Sequence, residues 1–308
     1  MRNAAIEAVR QLARKDKNII LMSGDLGFGV LDSFRTEMPQ QYFNVGICEQ
    51  NMAAMAAGMA LEGKKVYIYS IGNFPTLRCT EQIRNDICYH NANVTIMAVG
   101  GGFAYGSLGM SHHATEDIAV MRSLPNMKVF IPADAIEARE IVYKSAELNA
   151  PCYIRLNKGG EPDIHQSLEE MIDYQIGKAF LLRRGKDVCL MATGAITAEA
   201  MKAAEGLENR AIQASVYSFP SVKPIDTEVI KVCAKRYKYI YTVEEHNIIG
   251  GFGSAVSEIL AEEGAGCRLL RIGLPDVYSG IVGEQAYLRH QYHMDSQAIE
   301  EKVMETIH

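Results

Sequence analysis

A chain of 308 residues, 48% hydrophobic and 22% charged, has the composition of a globular protein and the length of two domains rather than one. Its 31 Lys and Arg against 37 Asp and Glu leave a formal charge of -6, which argues against a sequence-independent nucleic-acid binder, because such a protein needs a basic surface to displace counterions. No run approaches the roughly 20 apolar residues of a membrane span, and the cysteines, odd in number and without a Cys-x-x-Cys pair, read as buried or incidental thiols of a reducing cytoplasm rather than a disulfide framework or zinc site.

The first residues space their apolar side chains along one helical face and lack the apolar centre of a secretory signal, which predicts a helix over Ala4–Arg14. Short β-branched or apolar runs then alternate with helical patterns. Strands are expected at Ile19–Met22, Tyr42–Val45, Val66–Ser70, Val94–Val99, Lys128–Ile131 and Cys152–Leu156, and helices at Gln50–Leu61, Thr76–His90, Glu116–Arg122 and Ala135–Leu148. The polar run from Asn157 to Asp173, with Gly-Gly and Glu-Pro, reads as a linker. A second series follows: strands at Val188–Met191, Gln213–Tyr217, Tyr239–Val243 and Arg268–Ile272, helices at Thr197–Glu205, Asp226–Ala234 and Gly253–Glu262. The fold class is therefore α/β with two doubly wound domains, at 1–157 and 176–308, joined through 158–175. In such sheets ligands bind beyond the carboxyl ends of the strands.

Four places stand out on that criterion. At Val45–Leu61 a strand runs into a helix of small and Met residues with Glu49 at its first turn. Ala54, Ala57 and Gly58 permit close packing there, while Glu49 by itself reads equally as a carboxylate favouring the positive helix end. The long Gly-rich loop Gly100–Asp117 places His112 and His113 in an expected cleft, but adjacent histidines diverge in extended chain and make a poor metal pair. Ser23–Leu26 closes the first strand. Arg155, near the end of the sixth, would grip an anionic phosphate or pair with a carboxylate at the domain interface. Neither a GxGxxG nor a GxxxxGK[ST] fingerprint is present.

Eight segments in order resemble the C-terminal half of the transketolase family over nearly the whole chain: SGDLG at Ser23–Gly27, GICEQNMAAMAAG at Gly46–Gly58, EQIRND at Glu81–Asp86, GSLGMSHHATED at Gly106–Asp117, LPNMKVFIPAD at Leu124–Asp134, YIRLN at Tyr153–Asn157, EEHNIIGGFGSAV at Glu244–Val256 and GLPD at Gly273–Asp276. The resemblance implies a pyrimidine-binding domain followed by a transketolase C-terminal domain, and thiamine diphosphate as cofactor. It implies that Glu49 hydrogen-bonds the pyrimidine N1′ and drives the proton relay that removes the C2 proton, and that Asp25 lies near the cofactor. Phe74 is the expected stacking aromatic, with Tyr69 as second choice. His112 and His113 are expected to meet substrate, His112 assisting proton transfer, and Arg155 to meet a substrate phosphate. Leu108 departs from the pattern, since many relatives place Asp there against a substrate hydroxyl.

The family's Gly-Asp-Gly segment, followed about thirty residues later by Asn, is missing. That implies a split enzyme, whose N-terminal subunit carries the diphosphate and Mg²⁺ while this chain ligates no metal, self-associates to a homodimer and binds neither nucleic acid nor membrane. The implied activity is transfer of a two-carbon ketol unit from a ketose, free or phosphorylated, to an aldose. The alternatives are a 1-deoxyxylulose-5-phosphate synthase-like activity, a 2-oxo-acid dehydrogenase beta-subunit-like activity, and a noncatalytic partner module.

Overall fold

The computed structural model describes residues 1–171 and 174–307; Ile172 and Asp173, within the expected linker, and His308 lie outside the described residues. Helix α1 (Arg2–Lys15) turns Ala5, Ile6, Ala8, Val9 and Ala13 inward, as its apolar spacing predicts. It leads into strand β1 (Ile19–Ser23), buried throughout, which pairs in parallel with β2 (Tyr42–Asn44) and β3 (Lys65–Ile71). A short helix α2 (Asp32–Glu37), weakly patterned in sequence, fills the β1–β2 crossover. Helix α3 (Glu49–Leu61) buries Met52, Ala53, Ala56 and Ala57 and leaves Ala54 and Gly58 exposed.

The single helix expected over Thr76–His90 is broken into a 3₁₀ turn (Leu77–Cys79), a short α segment α4 (Thr80–Gln82) and a π-helical run (Ile83–Cys88). Such wide turns occur often at functional sites. Strands β4 (Val94–Val99), β5 (Lys128–Phe130) and β6 (Cys152–Leu156), with helices α5 (Asp117–Ser123) and α6 (Ala135–Ser145), complete the first set of βα units.

The second sheet contains β7 (Phe180–Arg183), β8 (Val188–Thr193), β9 (Ala214–Ser218), β11 (Tyr239–Asn247) and β12 (Arg268–Leu274), ordered β12-β11-β8-β9-β7. Helices α7 (Thr197–Glu208), α8 (Thr227–Arg236) and α9 (Phe252–Glu262) match the expected pattern; α10 (Gln285–Gln291) and α11 (Ser296–Ile307) extend it.

The two sheets are not independent. Strand β10 (Ser221–Lys223), from the second βα series, pairs antiparallel with β5, giving the first sheet the order β10-β5-β6-β4-β3-β1-β2. Lys223 then caps α5, its Nζ donating to the carbonyls of Arg122 and Leu124 at 2.9 and 2.6 Å. The expected linker is likewise tied down: the amides of Ile164 and His165 donate to Asp134, and His165 Nε2 lies 3.0 Å from the buried Glu137. Among the described residues no helix is long and apolar enough to cross a membrane, and all seven cysteines are free, five of them buried.

Candidate active site

The carboxyl ends of β1, β2 and β3 converge on Glu49. At the end of β2, the Asn44 side chain ties two loops: its Oδ1 accepts from the amides of Asp25 and Gly46, and its Nδ2 donates to Asp25 Oδ1 at 2.9 Å. The chain then turns through Gly46 at φ +77° and starts α3. Glu49, first residue of that helix, has 1% exposure. Its Oε1 accepts from the Ser70 hydroxyl at 3.3 Å, and its Oε2 from Arg78 Nη1 at 2.7 Å. Gly24 packs directly against the carboxylate, where a Cβ would sit in van der Waals contact, 3.4 Å from Glu49 Oε1.

Phe74 follows β3 on a turn fixed by two bonds, Thr76 Oγ1 to the Gly72 carbonyl and Cys79 Sγ to the Phe74 carbonyl. Its ring is half-buried, packs edge-on to His112 with centroids 5.2 Å apart, and carries the Arg78 guanidinium 4.5 Å from its centroid. His112 is also half-buried. Burial, with His113 adding to it, lowers its pKa, which keeps the imidazole neutral near neutral pH and able to take up or release a proton. Arg78 links Glu49 to Phe74, and Phe74 meets His112, so the three belong to one connected set of contacts. Asp25, exposed and at φ +57°, stands on the neighbouring β1 loop, and Leu108, 54% exposed, tops the 3₁₀ turn Gly106–Leu108.

Two expected residues are placed differently. Tyr69 is not at the cleft. Alternate residues of a strand face opposite sides of a sheet, and since Ser70 reaches Glu49, Tyr69 points the other way, 2% exposed, into the apolar cluster of Leu31 and Phe34.

Arg155 is buried rather than presented to solvent. Its Nε donates to Asp117 Oδ2 at 2.8 Å, and its Nη2 donates to the carbonyls of Ala114 and Glu245 at 2.6 and 2.9 Å. Tyr153 donates its hydroxyl to the same carboxylate oxygen. Of the two readings open for Arg155, the interface carboxylate is the arrangement found.

His113 differs from His112 beside it. It is 3% exposed, its Nε2 lies 3.0 Å from the Gly106 carbonyl, and its ring stands edge-on to Phe103. It lines a cavity of about 480 Å³ with Asn73, Met110, Glu116 and Tyr278. Its Nδ1 and Asn73 Oδ1 are buried there without a hydrogen-bond partner.

Sequence reasoning passed over Arg78, Ser70 and Glu245. Glu245 accepts from the Phe103 amide at 2.6 Å, from Gln285 Nε2 at 2.9 Å and from Arg289 Nε at 2.6 Å, locking the His-bearing loop to the second sheet.

The model of the transketolase pyrimidine-binding domain matches residues 1–161, and that of the transketolase C-terminal domain residues 177–299. A putative transketolase C-terminal section of Methanocaldococcus jannaschii is 38% identical over 99% of this chain and 95% of its own length. One of the subunits of the apulose-4-phosphate transketolase of Phocaeicola vulgatus is 34% identical over 99% of this chain and 97% of its own. A 1-deoxy-D-xylulose-5-phosphate synthase of Geobacter metallireducens is 36% identical, but the match spans 47% of that protein. Among solved structures, a split-gene transketolase described as an inactive beta4 tetramer superposes with a TM-score of 0.89 at 38% identity, covering 99% of this chain and 96% of that one.

Proposed function

The chain belongs to the transketolase family, as the C-terminal subunit of a split transferase, and we propose that it holds the aminopyrimidine of thiamine diphosphate while a separate N-terminal subunit holds the diphosphate and Mg²⁺. The observation that carries this reading is Glu49 itself: a carboxylate withdrawn from solvent at a helix start, with an aromatic face nearby. The residues present fit the pyrimidine half of the cofactor, because a planar, nitrogen-bearing group, the Arg78 guanidinium, already rests on Phe74 and bonds Glu49. Among the described residues no group of three or more His, Cys, Asp or Glu is placed to hold a metal ion.

Thiamine diphosphate, when bound, supplies the carbanion-stabilising centre that carries a two-carbon ketol unit from a ketose to an aldose. Glu49 holds a proton at the pyrimidine N1′. Burial keeps water from competing for that hydrogen bond, and Ser70 fixes the second carboxylate oxygen. Phe74 orients the ring by stacking. His112, neutral and beside Phe74, exchanges a proton with a substrate oxygen. His113 and the unpartnered Asn73 Oδ1 offer hydrogen-bonding groups to the polyol chain. The extent of the match supports a split enzyme: the relatives named as a section or as one subunit of a transketolase are covered almost end to end, and the neighbour composed of beta chains is described as inactive. The face of α3 exposed at Ala54 and Gly58, where a Cβ on Gly58 would meet nothing, supports a homodimer seam. The assembled enzyme is assigned to the cytoplasm.

Glu49→Gln tests the assignment in the reconstituted two-subunit complex. Glutamine keeps the length and loses the carboxyl proton, so turnover and deuterium exchange at the cofactor's C2 position should both fall by about 10²–10⁴-fold, with the cofactor still bound. Wild-type exchange and turnover would reduce Glu49 to a helix-terminal carboxylate and end the assignment.

A further inference from the structure

Arg78 has no task in the chemistry above, yet it is the charged group in direct contact with Glu49. Its guanidinium spans the two groups assigned to the cofactor ring, lying 4.5 Å from the Phe74 centroid with Nη1 2.7 Å from Glu49 Oε2. A guanidinium and an aminopyrimidine are alike in the features that matter here. Both are flat, both offer an aromatic face a stacking surface, and both present nitrogen to a carboxylate edge. They cannot share one slot.

The pair is asymmetric in a way that favours release from one side. Arg78 is 44% exposed and Glu49 is 1% exposed. The guanidinium can therefore swing into water and regain its hydration, giving up its contacts with Phe74 and Glu49, while the carboxylate is held by the helix. The backbone under Arg78 stays fixed, since Cys79 is buried and the Thr76 hydroxyl is bonded to the Gly72 carbonyl. With its slot empty, Glu49 would be a buried charge lacking a cationic partner, a costly arrangement that the Arg78 contact relieves.

We propose that Arg78 is a stand-in for the cofactor's aminopyrimidine: it fills the slot between Phe74 and Glu49 in the unliganded subunit, keeps the carboxylate paired, and leaves for solvent as the ring enters. The inference rests on the role given to Glu49. Cofactor binding is then an exchange, and apparent affinity is reduced by the fraction of molecules whose slot is open. If the closed arrangement holds nine molecules in ten, removing it tightens binding about tenfold.

The test is thiamine diphosphate binding, with Mg²⁺, to the two-subunit complex, by calorimetry for Kd and stopped-flow circular dichroism for the association rate. Arg78→Ala should bind about tenfold more tightly and associate faster than wild type. Arg78→Gln, planar but uncharged, should fall between, and it decides the question if the alanine complex does not assemble. Unchanged or weaker binding in the variant that assembles overturns the proposal, because Arg78 would then be a bystander or a support for the bound ring. Glu49→Ala separates the two readings: if it leaves Kd unchanged, the role of Glu49 falls; if it weakens binding while the Arg78 variants do not tighten it, only the stand-in fails.

Discussion

Replacing Arg155 by methionine separates a structural guanidinium from one that grips substrate, and the structure sets the size of the effect. The substitution keeps the length of the side chain and removes its donors. Asp117, fully buried, loses its ion-pair partner and retains only the Tyr153 hydroxyl on the same oxygen, its Oδ1 having no partner. Breaking a buried pair from one side costs about 3–5 kcal/mol. The retained Tyr153 bond argues for the lower end, while the carbonyls of Ala114 and Glu245, each stripped of a donor, add about 1 kcal/mol apiece. A loss of about 5 kcal/mol corresponds, for a chain of this length, to a fall of about 8 °C in Tm. Thermal unfolding of the chain followed by circular dichroism measures it, and the Arg155→Met/Asp117→Asn double variant should recover part of the loss, because the uncompensated charge is gone. A Tm within about 1 °C of wild type, together with a raised KM for phosphorylated substrates alone, would refute this account and return Arg155 to the substrate site.

Leu108→Asp, on an exposed turn, should leave stability within about 0.5 kcal/mol and shift relative kcat/KM toward the sugar phosphate whose hydroxyl the new carboxylate meets, by about tenfold if one charge-assisted bond forms; a flat profile across a sugar-phosphate panel would remove Leu108 from specificity. His246 and Glu244 predict opposite pH dependences. Burial lowers the His246 pKa to about 4, so the unfolded chain takes up a proton between pH 6.5 and 4 that the native state refuses, and stability falls as pH falls through that window. Burial raises the Glu244 pKa to about 7, so the native state keeps a proton that the unfolded chain releases above pH 4.5, and stability falls as pH rises toward and through 7. Between pH 4.5 and 6.5 the two oppose each other. In His246→Leu the wild-type advantage should shrink by about 1.4 kcal/mol per unit of acidification across that range, as read by denaturant unfolding at each pH; a constant difference would mean that His246 is protonated alike in both states.

Much of the molecule was legible because periodicity is local. The buried strands Ile19–Ser23, Val94–Val99 and Cys152–Leu156 declare themselves by apolar runs of the right length, and α3 by its small-residue pattern opening on a carboxylate. Those elements set the order of βα units, and that order brings the β1, β2 and β3 loops, and so Glu49, Asp25 and Phe74, to one end of the sheet. Strand β10 was not legible. Three residues of mixed character become a strand only because an open edge of the first sheet stands beside them. Nor could sequence choose among the partners of a buried charge. Arg155 could have faced a phosphate or a carboxylate until tertiary packing brought it to Asp117, 38 residues away, and the Glu245 carbonyl, 90 residues away. Tyr69 and Ser70 differ by one position, and the pleat sends the first to the core and the second to the cleft, so a shift of one residue in reading the YSIGNF segment exchanges their roles. A side chain's type and spacing determine what it can bond; the three-dimensional register of distant elements, fixed by burying apolar surface, decides which of those bonds a desolvated charge must make.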